Sequence, residues 1–294
     1  MPGLQGLHLS QLRVWEMSGG VLRPSTRQTR YDGGTTMKKP AALLLAWMLA
    51  LLLAACGQGA EGPELTIFAA ASMQEALTEI GNAYAARRPD INLAFHFESS
   101  GVLQAQIQEG AVCDVFISAG QKQMDALEAG GFLLPGSRFD LLENKVVLAV
   151  PAGNPAGIDS YGGLESALET GTVLLAIGGA DVPAGQYAQK ILASLGLDES
   201  ALAAAGSLTY GSNVKETAAQ VREGTVSCGI IYATDAYAAG LTVVDTATAE
   251  MCGRAVYPAA ATAAGRTAEA EAFLAYIRTE GGAVLTDAGF APLG

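Results

Sequence analysis

Three side chains with hydroxyl groups stand where predicted strands end, and this is a place where such groups can meet a ligand. Ser72 follows a strand-like run at residues 65–70, and Ser100 follows a second run at residues 91–97. Tyr232 ends a third apolar run. Ligands of α/β sheets bind beyond the carboxyl ends of the strands. A helix that starts there adds unpaired backbone N–H donors and a partial positive charge, so these positions predict an anion site.

Two further helix starts have the same character but offer backbone donors. Ala184 follows Pro183, a residue suited to the first turn of a helix, and Val214 follows Asn213. The sequence "SMQE" also predicts a capping box with Ser72 as the N-cap, so this hydroxyl either caps its own helix or faces a ligand. Four such helix starts and one tyrosine indicate neutral donors that converge on an anion.

The charge of the chain explains why neutral donors matter. The chain has 17 basic and 29 acidic residues, a net charge of −12. The first 55 residues hold six basic and two acidic side chains, so the remainder carries −16. This balance excludes nucleic acid as a partner, since its binding needs a basic patch. An anion must therefore be held by local N–H and O–H bonds, and a site made of donors disfavours hydrogen phosphate.

The first 63 residues resemble an export signal followed by a linker rather than part of a folded domain. Lys38 and Lys39 precede an apolar stretch at residues 41–55, which is short for a membrane span of about 20 residues. "LAAC" at its end resembles a lipobox, which predicts a lipoprotein signal peptide at residues 37–55 and lipidation of Cys56. Residues 1–36 then reflect a misplaced start codon, and residues 56–63 form a linker. An uncleaved membrane anchor is the alternative.

Catalysis and metal binding find little support in the sequence. After residue 55 the chain has one histidine, His96, inside a predicted strand, and no G-x-S-x-G motif. A serine-type envelope hydrolase, the alternative of another class, therefore lacks a general base. Cys113, Cys228 and Cys252 show no metal-binding spacing. Both a Cys228–Cys252 bridge and buried free thiols remain open, and we expect neither an enzyme nor a cofactor.

The elements that must position these groups alternate between strands and helices. Such alternation is typical of α/β architecture with mostly parallel sheets, and the mid-chain "VPAGNPAG" favours two lobes. Strands are predicted at residues 65–70, 91–97, 114–119, 145–150, 172–177, 208–210, 228–232, 241–245 and 254–262. Helices are predicted from Met73 to about Pro89 and at residues 102–109, 121–129, 184–195, 214–223, 268–279 and 283–288.

Five segments in order resemble the motifs of molybdate-binding proteins, the extracytoplasmic solute receptors of molybdate ABC transporters. The segments are "FAAASMQEAL", "FESSGVLQAQIQEGAVCDVFISA", "VPAGQYAQKIL", "NVKETAAQVREG" and "GIIYATDA". The resemblance implies a two-lobed type II periplasmic-binding-protein fold with mixed, mostly parallel sheets and two interlobe crossings. It places the first lobe at residues 64–146 and 256–294, and the second at residues 147–255.

The same resemblance implies the ligand contacts. They are the hydroxyl and backbone N–H groups of Ser72 and Ser100, the N–H groups of Ala184 and Val214, and the phenol of Tyr232. Molybdenum or tungsten is then bound only as its oxyanion, and sulfate is the alternative ligand. We expect a monomeric, extracytoplasmic, membrane-anchored lipoprotein that closes by a hinge and delivers molybdate, and tungstate, to an ABC permease.

Overall fold

The computed structural model describes residues 62–293. The predictions for residues 1–36 and 37–55, for Cys56 and for most of the linker lie outside these residues. No helix within residues 62–293 is long and apolar enough to cross a membrane.

Two separate sheets organise this part of the chain. The first contains six strands in the order β11-β4-β10-β3-β1-β2, and the second contains five in the order β7-β6-β8-β5-β9. The first-sheet strands are β1 (Glu64–Ala70), β2 (Asn92–Glu98), β3 (Val115–Ile117), β4 (Phe139–Asn144), β10 (Ala255–Ala261) and β11 (Ala291–Pro292). The second-sheet strands are β5 (Val146–Val150), β6 (Leu175–Gly178), β7 (Leu208–Gly211), β8 (Cys228–Tyr232) and β9 (Thr242–Thr246).

Helices cover both sheets. A short 3₁₀ turn at Ala71–Met73 leads from β1 into the first of them. The helices around the first sheet are α1 (Gln74–Arg87), α2 (Ser100–Gln108), α3 (Gln121–Ala129), α10 (Thr267–Thr279) and α11 (Gly282–Asp287). Those around the second are α4 (Tyr161–Glu169), α5 (Pro183–Ser194), α6 (Glu199–Ala204), α7 (Val214–Arg222), α8 (Ala233–Ala238) and α9 (Ala249–Cys252).

The chain passes twice between the sheets, which confirms the predicted two-lobed α/β fold. The first passage joins β4 to β5 through the single residue Lys145, and the second joins β9 to β10. We call the part around the first sheet the first lobe and the part around the second sheet the second lobe. Both sheets are mixed. The crossing strands β5 and β10 each pair antiparallel with both neighbours, and β11 pairs antiparallel with β4. Five strand pairs among the described residues are therefore antiparallel and four are parallel.

The apolar pattern of β1 shows why this strand lies inside its sheet. Ile67 packs into a large cluster of buried side chains, whereas the next residue, Phe68, packs with Leu103 and Phe116 on the other face. Successive side chains of a strand point to opposite faces. A strand buried on both faces therefore appears in the sequence as a continuous apolar run.

Two local predictions differ from the structure. Strand β4 was not predicted, because Asp140, Glu143 and Asn144 interrupt its apolar pattern. Ser72 was predicted either to cap its own helix or to face a ligand. It lies in the 3₁₀ turn, and no side-chain cap bond is present at the start of α1, so the predicted capping box is absent. Its hydroxyl group is therefore available for another partner.

Candidate functional site

All five residues predicted to contact the ligand line one cavity between the two lobes. Ser72 and Ser100 reach it from the first lobe, and the second lobe contributes the other three, which are Ala184, Val214 and Tyr232. All five are buried. The cavity, here called the central cavity, is small, with a volume of about 10 Å³. Pockets for drug-sized ligands measure about 300–1,000 Å³, so the central cavity is too small for an organic molecule of that size.

The hydroxyl of Ser100 is oriented by the protein to donate. Ser100 is the first residue of α2, and its Oγ accepts the backbone N–H of Ala119 at 3.0 Å. Because that lone pair is engaged, the hydroxyl hydrogen is left for another acceptor. The preceding Ser99 caps the helix by accepting the N–H of Val102. The N–H groups of the first two helical residues, Ser100 and Gly101, have no intrahelical acceptor.

The hydroxyl of Ser72 is oriented through a chain of three side chains. The Asn144 Nδ2 group donates to the Tyr257 phenol oxygen at 3.2 Å, and this oxygen lies 3.0 Å from Ser72 Oγ. The side-chain amide of Asn144 cannot be flipped, since its Oδ1 accepts the N–H of Lys145. The buried Tyr257 phenol already accepts one bond, and its own hydrogen can go to Ser72, although either of the two oxygens can be the donor. When Tyr257 donates, the Ser72 hydrogen is free to face the central cavity.

The second lobe contributes the N–H groups of two helix starts. In α5, Pro183 is the first residue and has no N–H, so Ala184 provides the first donor. In α7, the Asn213 side chain accepts the N–H of Glu216 at 3.0 Å. This cap satisfies the third N–H of the helix and leaves the first, that of Val214, without an intrahelical partner.

Tyr232 crosses the interface between the lobes. Its phenol donates to the carbonyl oxygen of Ala119 at 3.1 Å, which links β8 to the segment after β3. Burial raises the pKa of Tyr232 well above its usual value, so the phenol stays protonated and remains a donor. Donation to a ligand requires this hydrogen to turn from Ala119 toward the central cavity.

The central cavity has no basic side chain among the described residues that line it, but it has one carboxylate. Glu98, at the end of β2, accepts bonds through Oε1 from Asn213 Nδ2 at 2.9 Å and from the N–H of Ser99 at 2.8 Å. Three residues of this site and its surroundings were not predicted from the sequence, namely Glu98, Asn144 and Tyr257. The available signal for Tyr257 was a phenol in the apolar run of β10, two residues before three consecutive alanines.

The groups considered for other chemistry lie elsewhere. His96 is on the exposed edge strand β2, where its ring packs against Phe68. Asp114 is buried and accepts the N–H groups of Thr66 and Arg266, a structural role. The cysteines predicted as bridged or free are all buried free thiols. Within residues 62–293 no group of three or more metal-binding side chains occurs.

Comparisons with known proteins agree with this architecture. A model of the bacterial extracellular solute-binding protein family matches residues 65–291. The molybdate-binding protein ModA of Haemophilus influenzae is 33% identical over 79% of this chain and 91% of its own length. A protein described as an ABC transporter substrate-binding lipoprotein in Bacillus subtilis is 31% identical over 75% of this chain and 85% of its own length.

A solved structure shows the same fold. It is a substrate-binding domain assigned to a molybdenum ABC transporter of Clostridium difficile, and it superposes with a TM-score of 0.59 at 32% identity. The match covers 79% of this chain and 100% of that domain. The predicted type II periplasmic-binding-protein fold is thus confirmed. The chain belongs to the bacterial extracellular solute-binding protein family, and over the aligned part it shares about a third of its residues with the molybdate-binding protein of Haemophilus influenzae.

Proposed function

We propose that this protein binds molybdate outside the cytoplasm and delivers it to an ABC permease, with tungstate as a second ligand. One observation carries the proposal. Neutral donors from both lobes line one small cavity, and no basic side chain is among its described lining residues. The relatives named above, which include a molybdate-binding protein, support molybdate as the anion.

Neutral donors can hold a dianion because each bond is charge-assisted. Hydrogen bonds to an ionised acceptor are roughly twice as strong as neutral ones. A buried site of low local dielectric strengthens them further. In the proposed complex the hydroxyls of Ser72 and Ser100 donate from the first lobe. The N–H groups of Ala184 and Val214 and the phenol of Tyr232 donate from the second.

Contacts between the anion and both lobes provide a mechanism for closure of the protein. An anion that touches both lobes binds the closed form better than an open form, so it shifts the population toward closure. A permease can then recognise the closed shape. The proposed lobe limits are residues 64–146 with 256–294, and residues 147–255. Anchoring through a lipid on Cys56, a monomeric state and the absence of catalysis belong to the same proposal.

Isothermal titration of the purified protein with four anions tests the proposed ligand. Molybdate and tungstate should bind tightly with one site per chain, sulfate more weakly, and phosphate least at neutral pH. Phosphate is then partly protonated, and its hydroxyl would face donors. Tighter binding of sulfate than of molybdate would make this a sulfate receptor. Absence of heat with all four anions would reject the oxyanion site.

A further inference from the structure

An ion pair joins the two lobes next to the central cavity. The Lys215 Nζ group lies 2.6 Å and 2.8 Å from the two carboxylate oxygens of Glu75. Glu75 is on α1, three residues after Ser72, and Lys215 is on α7, directly after Val214. The pair therefore connects the two helices whose starts carry a proposed ligand group from each lobe.

A buried carboxylate of the second lobe lies behind the same lysine. Asp235, on α8, is only 2% exposed, and within the described residues neither carboxylate oxygen has a hydrogen-bond partner. The Lys215 Nζ group is 4.0 Å from its Oδ1. Glu75, Lys215, Asp235 and Arg222 line one cavity outside the central cavity. Lys215 is thus placed between an exposed acid of the first lobe and a buried acid of its own lobe.

We propose that Lys215 is a positioning residue that stabilises the closed form of the protein. The attraction of Asp235 keeps the ammonium group at the lobe interface in every state, because both residues belong to the second lobe. Glu75 comes within reach only when the lobes meet. The inference rests on the proposed function, since it assumes that the protein opens and closes around an anion.

The position of this ion pair separates it from ligand binding itself. Two other interlobe bonds, Tyr232 to Ala119 and Asn213 to Glu98, involve residues that line the central cavity. Glu75 and Lys215 are not among the lining residues. A change at Glu75 can therefore alter the closed form without removing a ligand contact.

The test compares Glu75→Gln with the matched variant Glu280→Gln. Glu280 pairs with Arg87 at 3.4 Å, and Arg87 is also on α1, but this pair joins two helices of the first lobe. Molybdate affinity is measured by titration at low ionic strength, and the dissociation rate by stopped flow. An exposed ion pair is worth little, so Glu75→Gln should weaken affinity about two- to fivefold, mainly through faster dissociation.

The same experiment includes readouts that separate this role from a merely structural one. The unfolding temperature of the ligand-free variant should stay at the wild-type value, because the pair forms only on closure. High salt should reduce the difference between Glu75→Gln and wild type, since ions screen the pair. Glu75→Arg should weaken affinity further, because it places two cations together.

The outcomes distinguish this inference from the proposed function. Wild-type protein that binds none of the oxyanions would reject the function, whatever the variants do. Wild-type binding that Glu75→Gln leaves unchanged would overturn the role of Lys215 alone. Equal losses in Glu75→Gln and Glu280→Gln would also overturn it, because they would indicate a general effect of charge.

Discussion

At the scale of single residues, the site depends on where hydroxyl hydrogens point. Ser100 Oγ accepts from Ala119, which leaves its hydrogen for a ligand, and Ser72 Oγ lies 3.0 Å from the Tyr257 phenol, from which it can accept. A serine whose acceptor capacity is already used becomes a reliable donor. This is how a protein of strongly negative charge can offer a dianion a favourable local environment.

Ser100→Ala should weaken molybdate binding by about 1.5–3 kcal/mol, the value of a hydrogen bond to a charged group. Titration calorimetry measures the loss. Ser160→Ala is the control, because Ser160 caps α4 by accepting the N–H of Gly163 and does not line the central cavity. The control should lose about 1 kcal/mol of stability and no affinity. Unchanged affinity in Ser100→Ala would remove this serine from the site.

Tyr257→Phe should weaken molybdate binding although Tyr257 is not proposed to touch the ligand. The variant removes the phenol that is hydrogen-bonded to Ser72 and leaves Asn144 without one acceptor. A double-mutant cycle of Ser72→Ala and Tyr257→Phe should show strong non-additivity, because both changes break the same chain of bonds. Additive losses in affinity would mean that Tyr257 does not orient Ser72.

The functional hydroxyls were predictable from the sequence only in part. Ser72 and Ser100 stand at junctions that local patterns reveal. The contacts that orient Ser72 come from Asn144 and Tyr257, which are 113 residues apart in the chain. The antiparallel pairing of β4 with β10 brings them together, so no local pattern could indicate them.

At the scale of elements, the site is a set of helix starts held by sheets. The helix α3 and the strand β8 were predicted to the residue, because glycines flank α3 on both sides and β8 is a short apolar run. The helices α4, α6, α8 and α9 were not predicted. Isolated helices shorter than about 12 residues are marginal, and such short ones depend on tertiary packing rather than on their own sequence.

Gly101→Ala should weaken molybdate binding by holding the lobes apart. A Cβ atom at Gly101, in the first turn of α2, would lie 2.2 Å from the carbonyl oxygen of Asp181 in the second lobe. The neighbour is backbone and cannot move aside easily. Gly162→Ala in α4 is the control, since a Cβ atom there meets nothing within 4 Å.

Small-angle scattering and calorimetry together check the Gly101 prediction. The radius of gyration of Gly101→Ala with saturating molybdate should stay close to its ligand-free value, whereas wild type and Gly162→Ala should contract on binding. Contraction and affinity of Gly101→Ala equal to wild type would show that the described approach of the lobes is not the bound form.

At the scale of the whole molecule, one buried acid couples stability to pH. Burial raises the pKa of Asp235 to about 7, with Lys215 lowering it and Glu75 raising it. An unfolded aspartate titrates near 3.9. Between about pH 4 and pH 7 the folded protein therefore holds more protons than the unfolded chain, and stability contributed by this group falls as pH rises. Above about pH 7 that loss is complete.

Asp235→Asn should remove this contribution to the pH dependence. The free energy of unfolding, measured by urea at several pH values, should fall less steeply from pH 4 to pH 7 in the variant. The largest difference between the slopes is about 1.4 kcal/mol per pH unit. The control is Asp287→Asn, because Asp287 is exposed. Identical slopes in wild type and Asp235→Asn would show that Asp235 titrates normally.

The two-lobed architecture was predictable because strands and helices alternate and the motifs resemble a known family. The share of antiparallel pairing could not be predicted from the sequence. Strand β4 contains polar residues, and its partners β10 and β11 follow more than 100 residues later in the chain. Pairing across such distances is a property of the whole molecule, and local spacing carries no information about it.

The most direct test is a crystal structure with molybdate, recorded at the molybdenum absorption edge. The account predicts one anomalous peak per chain in the central cavity. Oxygens around it should lie within about 3 Å of Ser72 Oγ, Ser100 Oγ and the N–H groups of Ala184 and Val214. An empty cavity, or a lysine or arginine side chain against the anion, would contradict the claim that uncharged donors from both lobes hold it.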